Sequence, residues 1–372
     1  MYNIPMPAKL TYKQSGVNYD SLDSLKRMAQ KAAKSTVKNL PPNITEISES
    51  RGESAYVLDM GDKYLAIVEE GLGTKTLVAD AMHALTGKTY YDHIAQDTVA
   101  AMVNDLITVG AKPISIMAYW STGAALWFEN TQRMNDLVDG WEQACHMSGV
   151  VWGGGETPTL TGIVEQNSIE LAGVAVGIIE PKSRLSLGDK LVVGDAIVVF
   201  ESSGIHANGL TLARKLAEHL PQGYKTPIAG GRMYGDALLD PTIIYAKLIQ
   251  NLFDVGVDIH YMADITGHGW RKIMRHNKKF TYRISSLPPV PDVLTFLVEQ
   301  AGLSDKEAFG TFNMGAGFAV FVPQEDVKNT LAIAKAHTIK VYDVGRVEKG
   351  DKQVILEPIH VTYARSSLQV RE

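Results

Sequence analysis

The chain has 372 residues and a formal net charge of −5 at pH 7; 45% of its residues are hydrophobic and 21% are charged. This length accommodates two domains of ordinary size, and the composition is that of a globular chain rather than a disordered one. The acidic balance argues against a general nucleic-acid binder, so we predict no nucleic-acid partner. Cys145 is the only cysteine, which excludes an internal disulfide and any zinc site with two or more thiolates.

The expected location follows from two further features of the sequence. Residues 1–10 lack the long apolar segment of a signal peptide. No uninterrupted apolar run reaches the ~18 residues that are typical of a membrane span. We therefore predict a cytoplasmic protein with no membrane partner.

The chain begins with an N-terminal arm and a hairpin. Residues 1–19 are predicted to be irregular, and the apolar spacing of residues 20–38 predicts a helix that ends before Pro41-Pro42. The lysines of this helix form either a solvated face or a set of phosphate contacts. Residues 56–59 and 64–68 are predicted to be strands joined by a tight turn.

Two carboxylates, two glycines and a lysine follow the second strand, in the order Glu69-Glu70-Gly71-Leu72-Gly73-Thr74-Lys75. The glycines permit a positive φ or a close approach of the backbone to a ligand. Lys75 could place a cation beside a phosphate, and Glu69 or Glu70 could hold a divalent metal through carboxylate oxygens. The spacing is not that of a Walker A loop, and an ordinary strand-to-helix turn stays open as the alternative.

A polar stripe interrupts the next predicted helix, residues 91–109. Asp97, Asn104 and Asp105 follow one another at i, i+7 and i+8, with the small Ala101 between them, so they share one face. The rest of this helix is apolar, and buried carboxylates need partners or a metal. The stripe therefore indicates either a surface that faces a nucleotide and its metal ions, or an exposed face with a helix cap.

A glycine-rich segment closes the first half of the chain. Residues 113–119 are predicted to be a strand and residues 131–148 a helix, after which the chain reads Gly153-Gly154-Gly155-Glu156-Thr157. Three glycines would let backbone N–H groups approach an anion, although a simple glycine-rich turn is the alternative. Residues 169–179 alternate as a strand does.

The second half opens, after a boundary near residues 181–194, with a strand at 195–200 and a glycine-bracketed loop that contains His206 and Asn208. Such strand-to-helix loops carry function disproportionately, so His206 is either a general acid or base or a cap of the following helix, 211–220. Another helix is predicted at 241–253.

A second glycine loop, Thr266-Gly267-His268-Gly269, precedes the remaining predicted elements. His268 is either a surface residue or a ligand contact. Helices are predicted at 292–299 and 326–337, and strands at 341–347 and 354–358. Residues 311–318 are predicted to enter a further strand that continues to residue 322. Strands and helices in both halves predict a two-domain α+β or mixed α/β chain.

Seven motifs occur together in one order. They are Gly71-Leu72-Gly73-Thr74-Lys75, Val103-Asn104-Asp105-Leu106, Gly154-Gly155-Glu156-Thr157, residues 202–209, Pro241-Thr242 with Tyr245, Ile265-Thr266-Gly267, and Thr311-Phe312-Asn313-Met314-Gly315. With this set in register from residue 12 to about residue 348, the chain resembles the aminoimidazole ribonucleotide synthetase family, also called phosphoribosylformylglycinamidine cyclo-ligase.

The resemblance implies a two-domain α+β fold and a homodimer. We place an N-terminal arm at residues 1–40, an ATP-binding domain that dimerises through its strands at 41–182, and a C-terminal α+β domain at 183–372. ATP and substrate would lie in a groove near the dimer interface. The implied reaction is the ATP- and Mg²⁺-dependent ring closure of formylglycinamidine ribonucleotide to aminoimidazole ribonucleotide, ADP and phosphate, in purine biosynthesis.

The resemblance also implies roles for individual residues. The catalytic residues would be His206, Asp97 and Lys75, and the Mg²⁺ ligands would be Glu70, Asp97 and Asp105. The ATP-binding residues would be Gly71, Gly73, Thr74, Lys75, Asn104, Asp105, Gly154, Gly155, Glu156 and Thr157. The substrate-binding residues would be Ser203, Gly204, Asn208, Thr266, Gly267 and Asn313.

The sequence departs from the family pattern at several of these motifs. Glu70 stands where the family usually has aspartate, Asp264 where it commonly has histidine, and His268 interrupts the usual Thr-Gly-Gly-Gly. Two alternative functions therefore stay open: a small-molecule kinase of the same superfamily, similar to thiamine-monophosphate kinase, and a non-catalytic nucleotide-binding paralogue.

Overall fold

The computed structural model describes residues 19–368. Of the segment predicted to be irregular at 1–19, residues 1–18 lie outside the described residues, and Tyr19 begins the first helix. The helices are α1 Tyr19–Lys34, α2 Lys75–Thr86, α3 Tyr91–Ile107, α4 Thr131–Ser148, α5 Leu210–His219, α6 Tyr234–Leu238, α7 Ala246–Asp254, α8 Asp292–Ala301, α9 Asp305–Phe309 and α10 Val327–Ala336. The strands are β1 Thr45–Glu46, β2 Tyr56–Asp59, β3 Tyr64–Gly71, β4 Lys112–Thr122, β5 Val151–Glu156, β6 Ile169–Ile179, β7 Ala196–Glu201, β8 Tyr261–Asp264, β9 Phe280–Ile284, β10 Ala316–Val322, β11 Val341–Lys349, β12 Gln353–Leu356 and β13 Val361–Ala364.

The first half of the chain forms a six-stranded sheet in the order β1-β2-β3-β6-β4-β5. Every second residue of β6 is buried, as its alternating sequence predicts, because one face of the sheet packs against α3. The predicted strand 169–179 and helix 131–148 are confirmed to the residue. The predicted hairpin of β2 and β3 is also confirmed, and Met60 N–H donates to the Lys63 carbonyl in its turn at 2.9 Å.

The glycine-rich segment is a strand rather than a turn, so the alternative of a simple glycine-rich turn was wrong. β5 pairs parallel with β4, and Gly155 lies opposite Ala118. A Cβ atom on Gly155 would lie 2.1 Å from the Ala118 carbonyl oxygen, so the pairing leaves no room for a side chain. These glycines therefore allow a close approach of backbone to backbone within the sheet.

The second half forms a seven-stranded sheet in the order β13-β12-β9-β11-β7-β10-β8. β8 and β10 are buried along their whole length, and all residues of β7 but the last are buried too. The helix predicted at 241–253 begins only at Ala246, because residues 241–245 instead pack against α3. The helix predicted at 20–38 ends at Lys34.

Helix α3 joins the two halves, since it packs on β3 and β6 on one side and contacts α7 and β8 on the other. The strands of the first sheet end at Ile179 and those of the second begin at Ala196, and the predicted boundary between 182 and 183 lies in this gap. The three domain boundaries themselves stay predictions. No helix between residues 19 and 368 is long and apolar enough to cross a membrane.

Candidate functional site

A groove between the two halves gathers several of the predicted site residues. Its inner part is a cavity of about 390 Å³, and an adjoining cavity of about 490 Å³ shares part of its wall. The shared wall residues are Gln30, Gly52, Glu53 and Ser54. A third cavity, of about 800 Å³, lies near Tyr64, Lys182 and His276 and has none of the predicted site residues among its described lining.

Four predicted residues line the inner cavity together. Glu70 comes from the end of β3, Asn208 from the loop after β7, and Thr266 and Gly267 from the loop after β8. The groove therefore brings a carboxylate of the first half to a polar loop surface of the second half. This is the arrangement that a small polar ligand needs, with few but convergent polar groups.

The loop that carries Asn208 is built around Asn313. Ser202 Oγ donates to Asn313 Oδ1 at 2.8 Å, and Asn313 Nδ2 donates to the Gly204 carbonyl at 2.9 Å. Ser203 Oγ donates to the Pro241 carbonyl at 2.6 Å. Asn313, Ser203 and Gly204 thus shape the loop in this structure, and their predicted contact with substrate stays a prediction.

His206 is buried inside the same loop. Its backbone has a φ of 56°, and its Nε2 accepts a hydrogen bond from the Ser203 N–H at 3.2 Å. Burial, and then the nearby charge of Lys75, lower the pKa of His206 to about 3. The imidazole is therefore neutral near pH 7, and its predicted role as an acid or base stays a prediction.

Lys75 and Asp97 form a buried ion pair between α2 and α3. Lys75 Nζ lies 2.7 Å from Asp97 Oδ2 and donates to the Asp240 carbonyl at 2.9 Å, and both side chains are fully buried. Asp97 Oδ1 accepts from the backbone N–H and the hydroxyl of Thr242, at 2.8 and 2.6 Å. Burial raises the pKa of Asp97, and Lys75 and Thr242 oppose that shift.

The polar stripe of α3 therefore meets backbone of the second half. Asn104 Nδ2 donates to the Ile243 carbonyl at 2.8 Å, and Asn104 Oδ1 accepts from the Tyr245 N–H at 3.0 Å. Gln96 Nε2 donates to the Thr242 carbonyl at 2.8 Å. We call residues 239–245 the interdomain segment. This segment forms hydrogen bonds with Lys75, Asp97 and Asn104 in the structure. The catalytic and nucleotide-binding roles of these three residues stay predictions.

The three predicted Mg²⁺ ligands do not form one ligand set. Asp97 is held by Lys75 and Thr242, whereas Glu70 and Asp105 lie near Asp264 and Lys272. Burial, followed by the charge of Asp105 and with a smaller part from Glu70, raises the pKa of Asp264 well above its usual range, and Lys272 opposes the shift. Within residues 19–368, no group of three or more acidic, histidine or cysteine side chains is arranged to hold a metal.

The other predicted nucleotide contacts lie away from the described lining of the inner cavity. Gly71 ends β3, Gly73 has a φ of 76°, and Thr74 precedes α2 without capping it through its side chain. Gly154–Thr157 lie exposed at the end of β5, an edge strand of the first sheet. Their assignment to ATP stays a prediction.

Two basic residues of the groove escaped the sequence predictions. Lys272 and Arg275 line the inner cavity one helical turn apart. Arg275 donates to the Gly52 carbonyl at 2.9 and 3.0 Å and to Ser54 Oγ at 2.9 Å, which ties the two halves together. The sequence feature that could have identified them is a pair of basic residues at positions i and i+3, directly after the second glycine loop.

The fold and the groove define a two-domain α+β protein whose polar site lies between two sheets. Residues 52–179 match the N-terminal domain, and residues 192–357 the C-terminal domain, of the AIR synthase related proteins. The chain belongs to this family, so the predicted family and the predicted α+β fold class are both confirmed.

Two similar curated proteins carry the same name. A phosphoribosylformylglycinamidine cyclo-ligase of Pyrococcus horikoshii is 35% identical over 95% of this chain and 99% of its own length. The cyclo-ligase of the same name from Pyrococcus furiosus is 36% identical over 91% of this chain and 96% of its own length.

Solved structures share the fold at lower identity. AaThiL complexed with AMPPCP and TMP superposes with a TM-score of 0.59 at 16% identity, covering 94% of this chain and 96% of that one. T. maritima PurL complexed with FGAR superposes with a TM-score of 0.58 at 15% identity, covering 95% of this chain and 54% of that one. At these identities the likeness concerns the fold.

Proposed function

We propose that this chain is an ATP-dependent phosphoribosylformylglycinamidine cyclo-ligase, which converts formylglycinamidine ribonucleotide into aminoimidazole ribonucleotide, ADP and phosphate. The observation that carries the proposal is the 35% identity to a cyclo-ligase over 95% of this chain and 99% of that relative. The groove supports it, because polar residues of both halves converge there on one cavity.

The reaction needs ATP because the formyl oxygen is a poor leaving group. Transfer of the γ-phosphoryl group to this oxygen gives an iminophosphate and ADP. The amidine nitrogen then attacks the formyl carbon, the C–O bond breaks, phosphate leaves with that oxygen, and the nitrogen loses a proton. Catalysis of such a transfer depends mainly on positioning and on electrostatic stabilisation.

The residues of the inner cavity suit the binding and positioning parts of this task. The Asn208 amide can both donate and accept hydrogen bonds, and the Thr266–Gly267 loop offers a hydroxyl and backbone groups next to it. Proton transfer by His206 would require its Nε2 to exchange the Ser203 N–H for the substrate. Of the three carboxylates predicted to bind Mg²⁺, Glu70 lines this cavity, so a ligand bound there would contact it.

The proposal is tested by incubating the purified protein with formylglycinamidine ribonucleotide, ATP and Mg²⁺, and by quantifying ADP and aminoimidazole ribonucleotide together. We expect both products in equal amounts. ADP without the imidazole would replace the proposal with a kinase that has another acceptor. ATP binding without either product would replace it with a non-catalytic nucleotide-binding paralogue.

We also propose that the chain forms a homodimer through the open face of its first sheet. The strand registers place one row of apolar side chains on this face, and all of them stay half-exposed or exposed. The row consists of Tyr56, Leu58, Leu65, Ile67, Met117, Val174, Val176 and Ile178. A contiguous apolar face of this kind favours an isologous contact with a second copy.

The dimer is tested by sedimentation or light scattering of the wild type and of Val176→Glu. The wild type should have about twice the chain mass of 40.6 kDa, and Val176→Glu should dissociate it. Val255→Glu is the matched control, because Val255 is 55% exposed and belongs to the second half. A monomeric wild type, or a Val176→Glu dimer as tight as the wild type, would contradict the proposal.

Magnesium and the cytoplasmic location stay predictions within this proposal. Mg²⁺ would shield the charge of the ATP phosphates and would enter with the nucleotide. The predicted set of Glu70, Asp97 and Asp105 does not fit a metal site in this structure, because Lys75 and Thr242 occupy the Asp97 carboxylate.

A further inference from the structure

The two cavities of the groove share a wall that is a short irregular segment of the first half. Gly52, Glu53 and Ser54, which we call the wall segment, line both cavities. They lie between the helical turn Ser48–Ser50 and strand β2. The Glu53 N–H donates to the Ser50 carbonyl at 3.0 Å, but this local bond does not set the distance to the second half. The position of the wall segment therefore depends on contacts across the groove.

Arg275 of the second half supplies such contacts. Its Nε and Nη2 donate to the Gly52 carbonyl at 3.0 and 2.9 Å, and its Nη1 donates to Ser54 Oγ at 2.9 Å. A planar guanidinium holds its donors in one fixed arrangement, which a lysine ammonium does not. The Arg275 side chain is only 15% exposed, so water competes weakly for these bonds. The wall segment is thus fixed to the end of the helical turn Gly269–Met274, which Arg275 directly follows.

Glu53, the middle residue of the wall segment, is held by the second half as well. Its side chain is 4% exposed, and its Oε2 lies 3.6 Å from Arg275 Nε. The Tyr261 hydroxyl donates to the same oxygen at 3.0 Å. A buried carboxylate is costly without a partner, and a nearby cation reduces that cost. Arg275 therefore balances a negative charge in the wall of a groove for which we propose phosphate-bearing ligands.

We infer that Arg275 is a positioning residue of the groove that acts through the wall segment. Its guanidinium sets where Gly52 and Ser54 lie and neutralises Glu53, so both cavities present one surface to an anionic ligand. A misplacement of about 1 Å can cost about 10²-fold in rate, so this role affects turnover without contact between Arg275 and a reacting atom. The inference rests on the proposed function for the identity of the ligand, whereas the position of the wall segment does not.

The position of the wall segment is tested by hydrogen exchange of the nucleotide-free protein, measured by mass spectrometry over residues 50–57. Arg275→Met should speed exchange there about tenfold or more, because the segment loses its contacts to the second half. Arg184→Met is the matched control. It removes a 2.7 Å contact of an arginine Nη2 with Asp254 Oδ1, and Arg184 is not in the described lining of either cavity. Exchange over residues 50–57 should stay as in the wild type in this control, and unchanged exchange in Arg275→Met would overturn the inference.

Rescue by a second substitution separates positioning from direct contact with the ligand. In Arg275→Met the charge of Glu53 loses its nearby guanidinium and should repel the phosphates. We expect the KM for ATP to rise about tenfold or more and kcat/KM to fall about 10²-fold. Glu53→Gln added to Arg275→Met removes the repelling charge and should recover most of the loss in KM. No recovery would mean that the guanidinium binds the ligand itself, and would overturn the inference.

Tyr261→Phe tests the same contacts from a residue that is 1% exposed and is not in the described lining of either cavity. It removes the hydrogen bond to Glu53 and keeps Arg275, so kcat/KM should fall about fivefold. A normal kcat/KM would contradict the inference, and this variant decides if Arg275→Met does not fold. A wild type without cyclo-ligase activity would refute the proposed function alone. Hydrogen exchange, with calorimetric ATP binding in place of KM, would then still decide the inference.

Discussion

The buried pair of Lys75 and Asp97 makes a sharp prediction for stability. At 2.7 Å and an effective dielectric constant of about 20, the Coulomb attraction is about 6 kcal/mol, and the desolvation of both fully buried ions offsets much of it. Asp97→Asn keeps the acceptor for Thr242 but removes the negative charge beside the Lys75 ammonium, which keeps its hydrogen bond to the Asp240 carbonyl. We expect this variant to lose about 3–5 kcal/mol in its free energy of unfolding.

Urea unfolding followed by tryptophan fluorescence measures this loss, since Trp120, Trp127, Trp141 and Trp152 report on the first half and Trp270 on the second. Lys340→Met is the matched control, because the Lys340 side chain is 74% exposed in its 3.0 Å pair with Glu201 and its removal should cost less than about 1 kcal/mol. A loss for Asp97→Asn as small as that of the control would refute the reasoning.

The double variant Lys75→Met with Asp97→Asn separates the pair from its surroundings. It removes both buried charges, so it should lose less than the two single variants together, with a coupling energy of about 0.5–3 kcal/mol. Additive losses would mean that each residue acts through other contacts. If the pair also serves catalysis, the double variant should recover stability without recovering ADP formation.

Three further variants test the loop after β7. The pKa of His206 lies near 3 in the folded state and near 6.5 in the unfolded state, so the unfolded state gains the proton first. The free energy of unfolding therefore falls as the pH drops below about 6.5, and the wild type should lose about 1.4 kcal/mol through this residue between pH 7.5 and 5.5. His206→Asn should lack this loss in urea titrations at the two pH values. Gly209→Ala should lower the free energy of unfolding by about 1–3 kcal/mol, because the φ of Gly209 is 89° and an added Cβ would lie 2.2 Å from Phe312 Cε1. Gly256→Ala is the control and should cost less, because Gly256 has a similar φ of 85° but open space around it. Equal losses would contradict the steric argument. Asn208→Ala should lower kcat/KM of the cyclo-ligase assay about tenfold at an unchanged Tm, and a normal kcat/KM would remove Asn208 from the site.

The sequence predicted most elements because their patterns are local. Residues 169–179 alternate, and residues 131–148 carry apolar side chains at helical spacing, so both elements appear with the predicted bounds. The glycines at 153–155 were harder to interpret, because glycine is compatible with a turn, with an anion contact and with close strand pairing. The neighbouring strand decides among these structures, and the local sequence does not identify it. The Ala118 carbonyl, 37 residues earlier in the chain, is that deciding contact.

The site was harder to predict because its charges find their partners across the fold. Periodicity placed Asp97, Asn104 and Asp105 on one face of α3 but could not identify what lies opposite that face. The structure divides the stripe: Asp97 and Asn104 hold the interdomain segment, while Asp105 lies near Lys272. Lys272 itself carries no motif, since the fold alone brings it to the wall of the inner cavity.

Helix α3 thereby links the stability of the domain arrangement to the geometry of the groove. Its Asp97 and Asn104 form hydrogen bonds with Thr242 and Tyr245 of the interdomain segment, and the next residue of the helix, Asp105, lies near Asp264.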